Sequence, residues 1–134
     1  MMKNILLFCC SFLFLTFYSC QSDNNVEIGK KTEMKVNAVF DAGTVIKGEK
    51  IKAVFKVTNT GKSPLVISEV KGSCTCTVAD FPKKPIPAGE SAEIKAEVNT
   101  EKTGDGPISK SIRIIANTEP NLTVVHVKAK VVIK

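Results

Sequence analysis

The chain has no tryptophan, a single histidine (His126) and a single arginine (Arg113), and aromatic residues make up 6% of its 134 positions. Each scarcity removes a class of function. One histidine cannot supply the repeated imidazoles of a histidine-rich zinc site, and it leaves serine and cysteine without a convincing general base. With one arginine, lysines dispersed among acids and few aromatics, there is no clustered basic patch with stacking residues, so nucleic acid is not an expected partner. Phosphate-loop and dinucleotide glycine motifs are missing, no internal repeat is found, and no cofactor is expected.

The first twenty residues, MMKNILLFCCSFLFLTFYSC, carry an early positive charge at Lys3, an apolar run from Ile5 to Phe17, and the small Ser19 before Cys20. This is the layout of a secretory signal peptide, and the run is shorter than the roughly 20 apolar residues a spanning helix needs. Ser19 before Cys20 resembles the processing site of bacterial lipoproteins, although Phe17 and the bulky Tyr18 depart from the usual pattern. The expected organisation is a lipoprotein signal peptide over residues 1–19, a flexible polar tether over 20–32 beginning at a lipidated Cys20, and one domain over 33–134. Acyl chains on Cys20 would hold the protein on a membrane. The expected location is the cell envelope, lipid-anchored at the outer membrane and facing the periplasm or the exterior. The segment CQSDNN resembles surface-export signals of Bacteroidetes lipoproteins.

Removal of residues 1–19 takes Lys3, Cys9 and Cys10 with it, so the net charge falls from +6 to +5. The remaining chain is long enough for one compact domain and too short for two. With Cys20 acylated, Cys74 and Cys76 are its remaining thiols. An exported chain with so few cysteines is not a disulfide-dense scaffold.

From about Glu33 the pattern is one of strands. In EKIKAVFKV, Ile51, Ala53, Phe55 and Val57 alternate with Lys52, Val54, Lys56 and Thr58. SAEIKAEV turns Ala92, Ile94, Ala96 and Val98 inward, and LTVVHVKAKVVI places Val125, Val127, Ala129, Val131 and Ile133 on one face. LVISEV and SKSIRIIAN are further strands. NTGKSP, FPKKPIPAGE, NTEKTGDGP and TEPN supply turns, with Ala88-Gly89 the expected tight turn of the proline-rich loop. No helical period of useful length is present. About seven short strands in roughly 100 residues predict an all-β, immunoglobulin-like β-sandwich, without the buried Trp and inter-sheet disulfide of antibody domains.

Residues VFDAGTVIKGEKIKAVFKVTNTGKSPLVISEVKGSCTCTV (39–78), PIPAGESAEIKAEVNT (85–100) and KSIRIIANTEP (110–120) resemble domain-of-unknown-function family 1573 (DUF1573). The carrying motifs are Phe40-Asp41 with Gly43, Gly48-Glu49, Asn59-Thr60-Gly61, Pro64-Leu65, the Cys74/Cys76 pair, Pro87-Ala88-Gly89-Glu90 and Asn117. The resemblance implies a small exported bacterial protein, of a kind common in Bacteroidetes, with the immunoglobulin-like fold of Hydin and major-sperm-protein modules. It implies no activity. Gly43, Gly48, Gly61 and Gly89 suit turns with positive φ, and Asn59 suits a strand end where its side chain bridges its own backbone.

The segment KGSCTCTV raises the chemical question. In an extended strand Cys74 and Cys76 would point to the same side about 6.6 Å apart. A disulfide wants β-carbons about 3.8 Å apart, which demands a bend. The family typically has glycine between the cysteines, whereas Thr75 prefers extended backbone. Packing of two small residues at a strand end is one reading. A Cu(I) or partial zinc site built on Cys74 and Cys76 is another, but zinc needs two more ligands, Met34 is the one methionine outside the leader, and alternation sends His126 to the outer face. Thiol redox chemistry is a third, with Lys71 the nearby cation. The reading that absorbs most of the pattern is a lipid-anchored, non-enzymatic binding or structural module of unknown protein or envelope partner. The alternative is a thiol-based redox or Cu(I)-handling protein.

Overall fold

The computed structural model describes residues 29–134, so the leader, Cys20 and the first part of the expected tether lie outside the described residues. Eight strands form two four-stranded sheets. β1 (Met34–Val36), β3 (Lys50–Asn59), β6 (Ser91–Asn99) and β5 (Thr77–Asp80) make the first, in the order β1-β3-β6-β5. β2 (Val39–Ile46), β8 (Leu122–Val132), β7 (Gly106–Ala116) and β4 (Ile67–Gly72) make the second, in the order β2-β8-β7-β4. The immunoglobulin-like sandwich expected from the alternation is therefore present. It has one strand more than the expected seven because the first stretch crosses between sheets: β1 pairs antiparallel with β3, and β2 pairs parallel with β8.

Alternation explains the core. Ile51, Ala53, Phe55 and Val57 of β3 face Ile94, Ala96 and Val98 of β6 and, across the sandwich, Ile112, Ile114, Val125, Val127 and Ala129. All of them are buried, and Phe55 meets Phe40 of β2 edge to face at 6.3 Å between ring centroids. Full burial of such a side chain contributes roughly 1.5–3 kcal/mol, so the period-two pattern is where the stability of the fold resides. Ile133, expected on the same inward row, is 71% exposed because β8 ends at Val132.

Side-chain amides organise one end of the sandwich. Asn59, fully buried, accepts from the Thr32 hydroxyl (2.9 Å) and the Gly61 N–H (3.1 Å) and donates to the Ser63 carbonyl (2.8 Å) and the Ile86 carbonyl (2.9 Å). Asn117 accepts from the Val66 N–H (2.7 Å) and donates to the Lys30 and Pro64 carbonyls. The last residues of the expected tether thus belong to the domain, since Thr32 is buried and its N–H donates to the Asn117 carbonyl. Gly43, Gly48 and Gly89 have positive φ as expected, but Gly61 does not. Glycine is needed at 61 for a different reason, close approach: a Cβ there would run into Thr32 Oγ1 and lie 2.5 Å from the Glu33 nitrogen.

The proline-rich loop turns at Pro87–Glu90, closed by the Glu90 N–H on the Pro87 carbonyl, and sends Ile86 into the core against Leu65. At the opposite end a 3-10 turn, Thr100–Lys102, is capped by Asn99, whose side chain accepts from the Glu101 N–H.

Candidate functional site: the Cys74–Cys76 turn

β4 and β5 are edge strands of different sheets on the same flank, and the chain passes from one to the other through residues 73–76. The extended geometry expected for the cysteine pair is not what forms. The Thr77 N–H donates to the Cys74 carbonyl (3.1 Å), closing a tight turn, and Cys74 and Cys76 are joined in a disulfide with α-carbons 5.2 Å apart. Thr75 does not obstruct the bend. None of the described non-glycine residues has positive φ, so the turn places no demand for glycine on position 75. The strand preference of an isolated threonine gives way to crossing between the sheets.

The turn is anchored on both sides. The Ser73 N–H donates to the Ser111 carbonyl of β7 (2.9 Å), and the Asn99 N–H donates to the Cys76 carbonyl (2.9 Å). Gly72, the last residue of β4, lies against Thr77, the first residue of β5: a Cβ at 72 would sit 2.6 Å from Thr77 Cβ and 2.8 Å from its Cγ2. The two edge strands therefore approach as closely as backbone against side chain allows.

Exposure divides the sulfurs. Cys76 is 5% exposed and belongs to the interior, whereas Cys74 is half-buried and lines an open groove with Val70, Lys71, Thr75 and Thr77. The Thr77 hydroxyl faces both, 3.6 Å from Cys74 Sγ and 3.8 Å from Cys76 Sγ. Gly72 and Thr77 were not singled out by sequence reasoning, although both flank the cysteines in KGSCTCTV. Their role depends on a contact between strands that the linear pattern does not contain.

The other candidates are dispersed. His126 lies on the outer face of β8, half-buried between Val39 of β2 and Ser111 of β7, so the expected face is right and full exposure is not. It is not among the residues lining the cysteine groove. Met34 packs against the core. Among the described residues no group of three or more His, Cys, Asp or Glu side chains could hold a metal ion. With both sulfurs in a disulfide, coordination by Cys74 and Cys76 would have to begin from the reduced pair.

No curated protein matches the sequence. Among solved structures, the chain is similar to a protein of unknown function from Porphyromonas gingivalis W83, with TM-score 0.67 and 24% identity over 81% of this chain and 51% of that one. The chain thus spans about half the length of that structure. It is also similar to an ASH/PapD-like domain of human CEP192 (TM-score 0.62, 8% identity, 78% of this chain and 88% of that one). A third likeness is to the secreted serine protease VesC from Vibrio cholerae, with TM-score 0.59 and 12% identity over 77% of this chain and 24% of the protease. These likenesses support a shared fold. The profile of the family described as "Protein of unknown function (DUF1573)" matches residues 32–131, and the chain belongs to that family.

Proposed function

We propose that this protein is a non-enzymatic binding or structural module of the cell envelope, held on the outer membrane by acyl chains on Cys20, whose domain pairs with a partner protein along a free sheet edge. The observation that carries the reading is β2. Among the described residues this eight-residue strand has β8 on one side and no strand on the other, and it exposes the large apolar side chains Val39 and Ile46 at its two ends. Addition of an extended segment to such an edge derives affinity from main-chain hydrogen bonds and selectivity from alternate side chains. A bulge between Asp41 and Thr44, where the Asp41 carboxylate accepts the Gly43 N–H at 2.8 Å, interrupts the edge. Such an irregularity limits indiscriminate edge-to-edge association while leaving two short pairing stretches.

The test is site-specific photocrosslinking in intact cells, from positions 39 and 46 on β2 and from position 52 on the outer face of β3. Discrete adducts at 39 and 46 and none at 52 are expected. Adducts at none of the three positions, or at 52 alone, reject the edge. The anchor is tested separately by intact mass and fractionation of Cys20→Ala. An unacylated native protein, or a Cys20→Ala variant whose leader is still removed at the same site, rejects the lipoprotein assignment.

A further inference from the structure

We propose that the Cys74–Cys76 disulfide is a thiol–disulfide exchange site, with Cys74 as the sulfur attacked and Cys76 as the sulfur released, serving a protein dithiol in the same compartment. This rests on the turn alone and depends neither on the β2 edge nor on the anchor.

Access comes first. A thiolate reaches a disulfide sulfur only where that sulfur is open, and here the openness is one-sided. Cys74 faces the groove between the β4 and β5 edges, while Cys76 is buried. Among the described residues, neither β4 nor β5 has a neighbouring strand on its outer side. An extended cysteine-bearing segment laid along either edge would bring its sulfur to Cys74. Lys71 lines the same groove and places a positive charge on the approach path of an anionic nucleophile.

The leaving group comes second. Exchange is faster when the departing thiolate is stabilised. The Thr77 hydroxyl, 3.8 Å from Cys76 Sγ, can turn its proton toward that sulfur as the bond to Cys74 breaks. In the first step a partner thiolate forms a bond to Cys74 Sγ, the Cys74–Cys76 bond breaks, and its electron pair leaves on Cys76. In the second step the partner's other thiolate attacks the partner sulfur of the mixed disulfide and releases the Cys74 thiolate. The partner dithiol ends as a disulfide, two electrons have passed to the Cys74–Cys76 pair, and the two thiol protons of the partner end on Cys74 and Cys76.

The structural consequence is local. Opening the bond removes the covalent closure of the crossing but leaves the amide anchors from Ser73, Thr77 and Asn99 in place, so the reduced domain stays folded and the turn can reclose.

The experiment uses the mature full-length protein, with folding of every species checked by circular dichroism. The wild type is treated with dithiothreitol under native conditions, and the opened disulfide is followed by alkylation and mass spectrometry. Separately, Cys76→Ser and Cys74→Ser are exposed to glutathione disulfide. The pair should be reduced in the folded state, and Cys76→Ser should form its glutathione adduct at least about tenfold faster than Cys74→Ser, in line with the difference in access. Thr77→Val keeps the packing shape against Gly72 but lacks the hydroxyl. It should slow reduction several-fold at a nearly unchanged melting temperature, and Thr77→Ser should restore the rate. A disulfide that opens only when the domain is unfolded by urea would overturn the proposal. Equal reactivity of the two single-cysteine variants would do the same, as would a Thr77→Val protein reduced at the wild-type rate.

Discussion

At the end of the sandwich where the chain enters, Asn59 and Asn117 hold loops from both sheets through short hydrogen bonds to backbone groups. On the flank where β4 gives way to β5, the crossing is held by a disulfide, a close contact between Gly72 and Thr77, and a few amide bonds. Both regions join strands that the sheets themselves leave unconnected. They differ in what can undo them. The fully buried Asn59 amide answers to nothing in the surroundings and yields only when the domain unfolds, because an unpaired buried polar group is costly. A disulfide with one accessible sulfur answers to the thiols around it. The first region is suited to permanence and the second to exchange.

Breaking the permanent region should have the largest effect. Asn59→Ala leaves the Gly61 N–H and the Ser63 and Ile86 carbonyls without this partner and opens a small cavity. The expected loss is about 3 kcal/mol, read by urea denaturation. The melting temperature should fall by roughly 10–20 °C.

The packing half of the crossing comes next. Gly72→Ala forces a Cβ against Thr77, and such overpacking costs roughly 1–3 kcal/mol. Hydrogen exchange at the Thr77 and Asn99 amides should rise more than at the amides of β3. A uniform rise across the domain would mean that the crossing is no separate unit.

Reduction of the disulfide should matter less to global stability than either substitution, because the bond closes a loop of three residues. The loop-closure argument places its contribution at no more than about 1.5 kcal/mol. Denaturation with and without dithiothreitol measures the difference, and a larger loss would show that the bond holds more of the fold than the turn.

The smallest effects belong to the surface ion pairs. The Lys50 ammonium, hydrogen-bonded to Glu97 at 2.8 Å, holds that carboxyl below its ordinary value against the upward push of burial. Its contribution is therefore present above the unfolded value of about 4.3 and is lost as the pH falls through the folded value. Lys47 is raised by its hydrogen bond to Asp105, so its contribution is present below about 10.4 and is lost as the pH rises through the folded value. Both pairs are exposed, and Glu97→Gln should change the denaturation midpoint little and even less in high salt.

The sandwich was legible because a two-residue period is a local property. Ile51 to Val57 and Val125 to Val131 must share a face whatever they pack against, and burial of that face selects the sheet arrangement. The turn at Ala88-Gly89 was legible for the same reason, since proline and glycine restrict or free their own backbones. Gly61 shows the limit: its φ is ordinary, and the demand for glycine comes from Thr32 and Glu33, nearly thirty residues away in the chain.

The cysteine pair shows that limit at the site. Two thiols two residues apart between strand-forming runs, in an all-β domain, follow from the order of residues alone. The bend at the intervening threonine, the enclosure of Cys76 while Cys74 opens on a groove, and the Thr77 hydroxyl facing both sulfurs arise from the fold. They arise because β4 and β5 belong to different sheets. The path between them is dictated by where those sheets sit, and local backbone preference is too weak to oppose it.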